Sequence, residues 1–178
     1  TGKTAAFALP LLDRILEGRR KGPLALVIAP TRELASQIAE EIRVLSKHTR
    51  VGLVTIYGGV SMRTQVNALR RRPEIVVGCP GRVLDLLQQG VLRLDRVETL
   101  VLDEADHMFD MGFLPDIRKI LKALPQRRQN LLFSATMPKE IRHLADDLLR
   151  EPHVVELADA APASSIDHAL YLVAEQRK

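Results

Sequence analysis

Two neighbouring carboxylates, Asp103 and Glu104, and a third, Asp106, follow directly after the apolar run at residues 99–102. A short run rich in Leu and Val is typical of a buried strand in a parallel sheet. Ligands of open α/β sheets bind beyond the carboxyl ends of the strands, and acidic residues there commonly hold Mg²⁺ against the phosphates of a nucleotide. The acidic cluster therefore indicates a metal–nucleotide site.

The sequence begins with Thr1-Gly2-Lys3-Thr4, which matches the last part of the phosphate-binding loop GxxxxGK[ST]. In that loop, backbone amides surround the phosphates, the Lys reaches the β- and γ-phosphates and the hydroxyl residue binds Mg²⁺. This short match is weak by itself, because Gly-Lys-Thr also occurs in ordinary solvated loops. The acidic cluster decides in favour of the nucleotide interpretation.

Composition limits the classes to which the protein can belong. With 178 residues, 46% of them hydrophobic, the chain is long enough for one ordinary domain with a core. The single cysteine, Cys79, excludes an internal disulfide and a cysteine-rich zinc site, and it is consistent with a cytoplasmic protein. No apolar run approaches membrane-spanning length, so no membrane partner is expected.

Charge and aromatic content bear on nucleic-acid binding. The net charge of +4 tolerates a polyanionic partner without demonstrating one. Only 3% of residues are aromatic and there is no Trp, so any nucleic acid should be held mainly by its backbone rather than by base stacking. Basic clusters at 19–21, 70–72 and 127–128 each follow a predicted helix; they either attract phosphate or complement the helix dipole, and the second interpretation is favoured.

Short apolar runs alternate with amphipathic stretches along the whole chain. This alternation predicts an α/β fold, with a parallel sheet flanked by helices on both faces. The runs predict six strands, at residues 24–29, 51–57, 74–77, 99–102, 130–133 and 153–157.

Apolar residues spaced three or four positions apart predict helices between the strands. Three stripes are Leu34, Ile38, Ile42, Leu45; Leu114, Ile117, Leu121, Leu124; and Ile141, Leu144, Ala145, Leu148, Leu149. A fourth face follows the phosphate loop, where Pro10 should kink the helix. An Ala-, Pro- and Ser-rich stretch marks a boundary, which gives one domain over residues 1–158 and a linker with the start of another over 159–178.

Four further motifs fall at strand ends or helix starts in this layout, and together with the first two they identify a family. The chain resembles the first RecA-like domain of a DEAD-box RNA helicase, most closely the bacterial members. The matching motifs, in the family's order, are Gly2-Lys3-Thr4, Pro30-Thr31-Arg32-Glu33-Leu34-Ala35, Gly58-Gly59, Pro80-Gly81-Arg82, Asp103-Glu104-Ala105-Asp106 and Ser134-Ala135-Thr136. The resemblance implies a RecA-like P-loop domain truncated at both ends, whose phosphate-loop strand would lie before residue 1.

The resemblance implies ATP and Mg²⁺ as cofactors. Thr1, Gly2, Lys3 and Thr4 would contact ATP, and Thr4 and Asp103 would bind Mg²⁺. Glu104 would orient and deprotonate the attacking water, so Lys3, Asp103 and Glu104 form the catalytic set. The alternative for the two acids is a helix N-terminus decorated for dipole reasons, worth only about 0.3–1 kcal/mol each, and the catalytic interpretation is favoured.

The resemblance also implies a link between Asp106 and the segment Ser134, Ala135 and Thr136, which in the family couples ATP hydrolysis to strand separation. A simpler alternative is that Ser134 and Thr136 cap a helix that starts near Pro138, since Ser and Thr are favoured caps. Both can hold together, with capping by Thr136 and coupling by Ser134.

RNA is the implied polymer partner, bound through its backbone at Pro30, Thr31, Arg32, Gly58, Gly59, Pro80, Gly81 and Arg82. Helix N-termini bind anions, glycines let a sugar-phosphate chain come close, and such contacts carry no information about base sequence. The alternative of plain turns and surface charges is outweighed by the order of the motifs. The family usually has Thr where this chain has Cys79, which puts one RNA contact or a helix cap in doubt. His107 is interpreted as a solvent-facing residue.

The expected function is the nucleotide- and RNA-binding half of an ATP-dependent RNA helicase. In the family, a second RecA-like domain supplies the arginines that stabilise the transferring phosphate. The chain alone is therefore expected to have little or no RNA-stimulated ATPase or unwinding activity. Two alternatives stay open: a DNA helicase or translocase with the same ATPase core, and a non-catalytic RNA-binding module.

Overall fold

The protein is described here by a computed structural model, which covers residues 2–18 and 22–156. Within these residues, five short strands form one parallel sheet in the order β2-β3-β1-β4-β5. The strands are β1 Ala25–Ile28, β2 Leu53–Ile56, β3 Ile75–Gly78, β4 Thr99–Leu102 and β5 Gln129–Leu132. The predicted parallel α/β sheet is confirmed, and each of these strands falls within about two residues of its predicted position.

Seven helices lie before, between and after the strands in the described part of the chain: α1 Lys3–Glu17, α2 Arg32–Ser46, α3 Met62–Leu69, α4 Pro80–Gln88, α5 Ala105–Asp110, α6 Leu114–Lys122 and α7 Lys139–Leu148. None of the described helices is long and apolar enough to cross a membrane. The predicted linker and second-domain start, residues 159–178, lie entirely outside the described residues.

Two apolar cores lie on the two faces of the sheet. One core joins α1 and α2 to one face, and the other joins α3 to α7 to the opposite face. Every residue of β1, β3 and β4 is buried, because these strands are covered by helices on both faces and have neighbours on both sides. β2 is an edge strand, and its residues alternate between partly buried and buried.

Two details of the helices differ from the sequence prediction or extend it. Helix α1 continues through Pro10, which occupies an exposed position inside it.

In α2, Leu45 is 38% exposed, although it was predicted to continue the core stripe. Ser46, one position later, is buried in its place, because it follows Ile42 by four residues and therefore lies on the same face of the helix.

The predicted sixth strand, at residues 153–157, is not present in its described part. Residues 153–156 are irregular and exposed, with Val154 and Val155 at 67% and 72%. These β-branched residues have strand propensity, but a strand also requires a neighbour that accepts its backbone hydrogen bonds. No described strand pairs with this segment, so propensity alone was insufficient.

Gly78 ends β3 at a position where a side chain would meet its neighbours closely. A Cβ at this position would lie 2.5 Å from both Cγ1 and the carbonyl oxygen of Ile56, and 3.0 Å from Cγ2 of Val83. Because the obstructing atoms include backbone and two buried side chains, they have little freedom to move. Gly78 thus allows β2 and the start of α4 to approach each other.

We predict that Gly78→Ala lowers the free energy of unfolding by about 1–3 kcal/mol, the usual cost of overpacking a close-packed core. Urea titration monitored by circular dichroism measures the change. Gly81→Ala is the matched control, since nothing lies within 4 Å of a Cβ there. Equal stability of the two variants would contradict the packing role assigned to Gly78.

Candidate functional site

The motifs that follow the strands all lie at one edge of the sheet, where the parallel strands end; we call this the carboxyl edge. Residues 30–32 follow β1, 58–59 follow β2, 80–82 follow β3, 103–106 follow β4 and 134–136 follow β5. The start of α1 reaches the same edge, because Lys3 lies beside Asp103. Sites in open α/β sheets form at this edge.

Asp103 extends the sheet by one residue and is almost completely buried. Its backbone N–H donates to the carbonyl of Ile28 at 2.9 Å, and its side chain accepts from the N–H of Glu104 at 3.1 Å. The Nζ of Lys3 lies 3.9 Å from Oδ1 of Asp103. Burial raises the pKa of Asp103 above its ordinary value, although the Lys3 ammonium opposes this shift.

The donor set at this position fits Mg²⁺. Asp103 offers a buried carboxylate, and among the described residues its ion-pair partner is Lys3 at 3.9 Å. Thr4, the residue after Lys3, has 6% exposure. No cluster of three His, Cys, Asp or Glu residues suited to a metal occurs among the described residues. Mg²⁺ is usually bound through one or two carboxylates, with water and substrate phosphates completing the shell, so a sparse set of oxygen donors is appropriate.

Glu104 has a left-handed backbone conformation, with φ 52° and ψ 55°. Such a conformation costs a non-glycine residue on the order of 1–3 kcal/mol and persists only where neighbouring contacts enforce it. Here the N–H of Glu104 donates to Asp103, its carbonyl accepts from Met108 at 3.0 Å, and the next N–H donates to Phe133 at 3.0 Å. The chain is thereby turned sharply from β4 into α5, and the Glu104 carboxylate remains partly exposed.

His107 is exposed, as expected, and it also contacts Glu104. Its Nδ1 lies 3.4 Å from Oε2 of Glu104, and about half of its side chain is exposed. The sequence carried a signal for this contact, because residues three positions apart are neighbours on a helix.

Three hydrogen bonds join Asp106 to the segment after β5, and a fourth lies within that segment. The carboxylate of Asp106 accepts from both the N–H and the hydroxyl of Thr136, each at 2.9 Å. The hydroxyl of Ser134 accepts from the N–H of Asp106 at 3.1 Å and donates to the carbonyl of Thr136 at 2.7 Å. Ala135 lies between them and is exposed. The N-cap residue of α7 is Pro138, and no side-chain hydrogen bond caps this helix. The alternative that Ser134 or Thr136 caps α7 is therefore not observed.

The network favours the ionised form of Asp106. Burial acts to raise the pKa of Asp106, but the hydrogen bonds from Thr136 and Ser134 outweigh it, so the pKa lies below its ordinary value. Asp103 and Asp106, three residues apart, are thus shifted in opposite directions. The difference arises because Asp106 accepts several hydrogen bonds while Asp103 is more deeply buried.

The segments after β1 and β2 are in contact through Arg32 and Tyr57. The Arg32 guanidinium lies 5.3 Å from the centre of the Tyr57 ring, within the range of a cation–π interaction. Thr31 caps α2, its hydroxyl accepting from the N–H of Leu34 at 3.2 Å, while Pro30 before it is buried. Gly59 has φ +74°, a conformation that glycine adopts without strain.

Gln65 and Arg82 hold the loop that contains Gly58 and Gly59. The buried Gln65 side chain accepts from the N–H of Tyr57 at 3.2 Å and donates to its carbonyl at 3.1 Å. Arg82 donates to the carbonyl of Val60 at 3.3 Å. Both glycines remain exposed. Sequence reasoning missed Tyr57 and Gln65, since no local pattern marks a side chain that bonds to a backbone eight residues away.

The third segment, at the start of α4, has a cysteine at its N-cap. Pro80 is buried at the first turn and Gly81 is exposed, with nothing within 4 Å of a Cβ at this glycine. The Cys79 side chain makes no cap hydrogen bond, and burial raises the pKa of its thiol to about 11, with a smaller contribution from Glu33. The thiol is therefore neutral at physiological pH, and it does not cap α4.

Comparisons with known proteins point to one family. Residues 1–144 match the model of the DEAD/DEAH box helicase family. The chain is 46% identical over its full length to the DEAD-box ATP-dependent RNA helicase CshA of Bacillus cereus, of which it covers 34%. It is also 46% identical over 175 residues to the RNA helicase CrhR of Synechocystis, of which it covers 35%. The chain thus spans about a third of the length of these curated relatives.

Solved structures give the same picture. A DEAD box protein from the hyperthermophile Methanococcus jannaschii superposes with a TM-score of 0.80 at 44% identity, over 85% of this chain and 41% of that one. A hypothetical ATP-dependent RNA helicase from Sulfolobus tokodaii superposes with a TM-score of 0.77 at 41% identity, over 85% and 44% of the two chains. The fold is therefore that of a RecA-like domain.

We predict that Asp106→Asn lowers the free energy of unfolding at pH 7 by about 1 kcal/mol, the typical net value of a hydrogen bond. Because folding depresses the pKa of Asp106, its ionised form contributes stability above its ordinary pKa, and this contribution is lost as the pH falls through the lower pKa of the folded state. Urea titrations between pH 7 and pH 3 should show the difference from wild type shrinking. Asp146→Asn, at an exposed position of α7, is the control; a difference independent of pH would contradict the assignment.

Proposed function

The chain belongs to the DEAD/DEAH box helicase family, and from this premise we propose that it is the ATP- and RNA-backbone-binding half of an ATP-dependent RNA helicase. The observation that carries the proposal is the hydrogen-bonded link from Asp106 to Ser134 and Thr136. This link begins three residues from the buried Asp103 and joins two strand ends of the edge that also bears the proposed RNA loops.

Lys3, Thr4 and Asp103 form the nucleotide end of the site. When bound, Mg-ATP supplies the phosphoryl group to be transferred and a metal that neutralises charge developing on it. Lys3 binds phosphate oxygens, for which its partly exposed ammonium is accessible beside Asp103. Asp103 and the Thr4 hydroxyl hold Mg²⁺, and Gly2 with Thr1 contributes backbone N–H groups to the phosphates. Thr1 lies outside the described part of the chain.

Glu104 acts as the general base. Its left-handed backbone turns the side chain out of the sheet, where the carboxylate is exposed enough to accept a proton from water. The N–H of Glu104 donates to Asp103 and the N–H of Ala105 donates to Phe133, and these bonds fix the position of Glu104 relative to Asp103. His107 limits the freedom of the Glu104 carboxylate through its Nδ1 contact.

RNA is bound at the opposite part of the same edge, by the ends of β1, β2 and β3. The exposed glycines 58, 59 and 81 leave room for a sugar-phosphate chain, and the N-termini of α2 and α4 supply N–H groups for phosphates. Arg32 and Arg82 add positive charge. All of these contacts address the backbone, so the chain binds RNA without reading base sequence.

The whole protein completes the enzyme. Since the chain covers about a third of its curated relatives, we propose a second RecA-like domain of the same protein as the partner that supplies arginines to the transferring phosphate. Strand separation and a cytoplasmic location are part of the same proposal. Support for strand separation comes from the names of the relatives, which are RNA helicases.

A DNA helicase or translocase with the same ATPase core is the second candidate. Stimulation of the whole protein's ATP turnover by RNA and by DNA of equal length and sequence separates the two, and stimulation by DNA alone would favour the second candidate. A non-catalytic RNA-binding module is the third. It predicts no Mg-ATP binding by a protein with the complete phosphate loop.

We predict that Glu104→Gln, placed in the whole protein, lowers kcat for ATP hydrolysis by at least about 10²-fold, the lower range for loss of general base catalysis. The dissociation constant for Mg-ATP should stay within a factor of about two, since the amide keeps the size of the carboxylate. Phosphate release and isothermal titration calorimetry measure the two quantities. Glu140→Gln, at an exposed position of α7, is the control. Unchanged turnover would show that Glu104 is not the base.

We predict that the 178-residue chain alone shows no RNA-stimulated ATP turnover, because arginines from a second domain can contribute about 10³–10⁵ in rate. Steady-state phosphate release with and without poly(U) checks this, with the whole protein as the positive control. RNA-dependent turnover by the chain alone would mean that its own residues complete the transition-state site.

A further inference from the structure

A cluster of positive charge lies at the other edge of the sheet, where β2 and β3 begin. These strands are adjacent and parallel, so the connections that precede them meet at the same corner. We call the corner formed by residues 47–52 and 70–74 the strand-entry corner. It carries five exposed cations, Lys47, Arg50, Arg70, Arg71 and Arg72, with His48 beside them.

Hydrogen bonds hold the two connections together. The Glu74 side chain accepts from the N–H of Gly52 at 2.7 Å, and the N–H of Ile75 donates to the carbonyl of Gly52 at 3.0 Å. A Cβ on Gly52 would lie 3.3 Å from the Cα of Pro73, which shows how closely the two backbones approach. The cations of both connections therefore stand on one ordered surface.

The arginine run has an unusual backbone at its last residue. The N–H groups of Arg70, Arg71 and Arg72 all donate to carbonyls of the last turns of α3, at 3.1, 3.1 and 2.9 Å. Arg72 then adopts φ +55°, the left-handed conformation in which helices usually end on Gly. An arginine at such a position costs roughly 1–2 kcal/mol, and this strain is consistent with a use for its guanidinium.

Helix dipoles explain only a small part of this charge. Two helices, α2 and α3, end at the corner, and each C-terminus is equivalent to about −0.5 charge, so together they balance about one of five cations. The one carboxylate of the two connections, that of Glu74, is bonded to Gly52. Within the described residues, none of the five cations forms an ion pair with a carboxylate. Subtracting about one charge for the helix dipoles and one for the Glu74 carboxylate leaves about three of the five positive charges uncompensated.

We propose that the strand-entry corner is a second binding surface for the phosphate backbone of RNA. The inference rests on the proposed function, because it extends the RNA contacts of the Gly58–Gly59 loop along the edge of the domain. β2 is the edge strand that joins the two places, and residues 50 to 58 span at most roughly 26 Å at 3.3 Å per residue. An extended RNA strand of several nucleotides covers this distance.

The chemistry of the corner favours a nucleic-acid backbone over an acidic protein. Four of the five cations are arginines, whose planar guanidinium binds phosphate through two parallel hydrogen bonds. The exposed Arg63 lies in the first turn of α3, which packs against β2 and runs from the RNA loop to Arg70. Cations thus stand at both ends of the helix that connects the two contact regions.

The test uses the complete 178-residue chain and 5′-labelled oligo(U) of 6 and 20 nucleotides, with fluorescence anisotropy over a range of KCl concentrations. In the first variant, Arg70→Gln and Arg71→Gln are combined with Arg72→Gly, which also relieves the left-handed backbone. Its affinity for the 20-mer should fall about 10-fold and its salt slope by about 2, near 0.7 per lost phosphate contact. Its affinity for the 6-mer should stay as in wild type.

A second variant, Lys47→Gln with Arg50→Gln, alters the adjoining connection and should weaken binding of the 20-mer by about 3- to 5-fold. The control removes three exposed cations of α6, through Arg118→Gln, Lys119→Gln and Lys122→Gln, and should leave the length dependence unchanged. Thermal melting of each variant verifies that it folds. Polyglutamate of matched charge serves as competitor and should displace the 20-mer poorly.

Each alternative outcome has a distinct meaning. If both corner variants bind the 20-mer as wild type does, or lose no more than the α6 control, the second surface is overturned while the proposed function stands. Efficient displacement by polyglutamate would overturn it in favour of an acidic protein partner. If wild type binds neither oligonucleotide, the proposed RNA interface fails, and the extension fails with it.

Discussion

The parallel hydrogen-bonded ladder that holds β4 between β1 and β5 is the interaction on which the site depends. The ladder continues past the strand ends, because Asp103 donates to Ile28 and Phe133 donates to Leu102. These two bonds fix the position along the strands at which the acidic motif and the segment after β5 leave the sheet. A slip of one residue would turn each side chain to the opposite face, so register is the first condition for the link between Asp106 and Thr136.

Two residues of the proposed active site are in energetically unfavourable states. Asp103 is buried with a raised pKa, and Glu104 holds a left-handed backbone. Both are tolerated because β1, β3 and β4 are fully covered by helices on two faces. Natural proteins commonly keep such strained or poorly compensated groups at functional sites, where removing them would raise stability and lower activity.

The two edges of the sheet differ in charge for a topological reason. In a parallel sheet all strand exits lie on one edge and all entries on the other, so residues far apart in sequence collect into two separate surfaces. The exits bring together the acidic motif, the serine–threonine segment and the glycine loops. The entries of β2 and β3 bring together cations that neither helix ends nor carboxylates balance. Both surfaces lie on one rigid sheet, which allows an extended polymer to contact both.

The sequence by itself determined the periodic features: a parallel α/β sheet, five of its strands, the main helical stripes and the motifs that follow the strands. Each of these depends on short-range spacing, which a linear chain displays directly. The same reasoning failed at residues 153–156, where a tertiary neighbour decides between strand and coil. It also failed at Leu45, because the four-residue spacing from Ile42 places Ser46 on the buried face instead.

Only the tertiary structure decided which polar groups meet. Gln65 bonds to the backbone of Tyr57, His107 contacts Glu104, and Thr136 bonds to Asp106 instead of capping α7. The opposite pKa shifts of Asp103 and Asp106 follow from their different burial and hydrogen bonding. Hydrogen bonding and desolvation act over a few ångströms in space, and the fold alone determines which residues come within that distance.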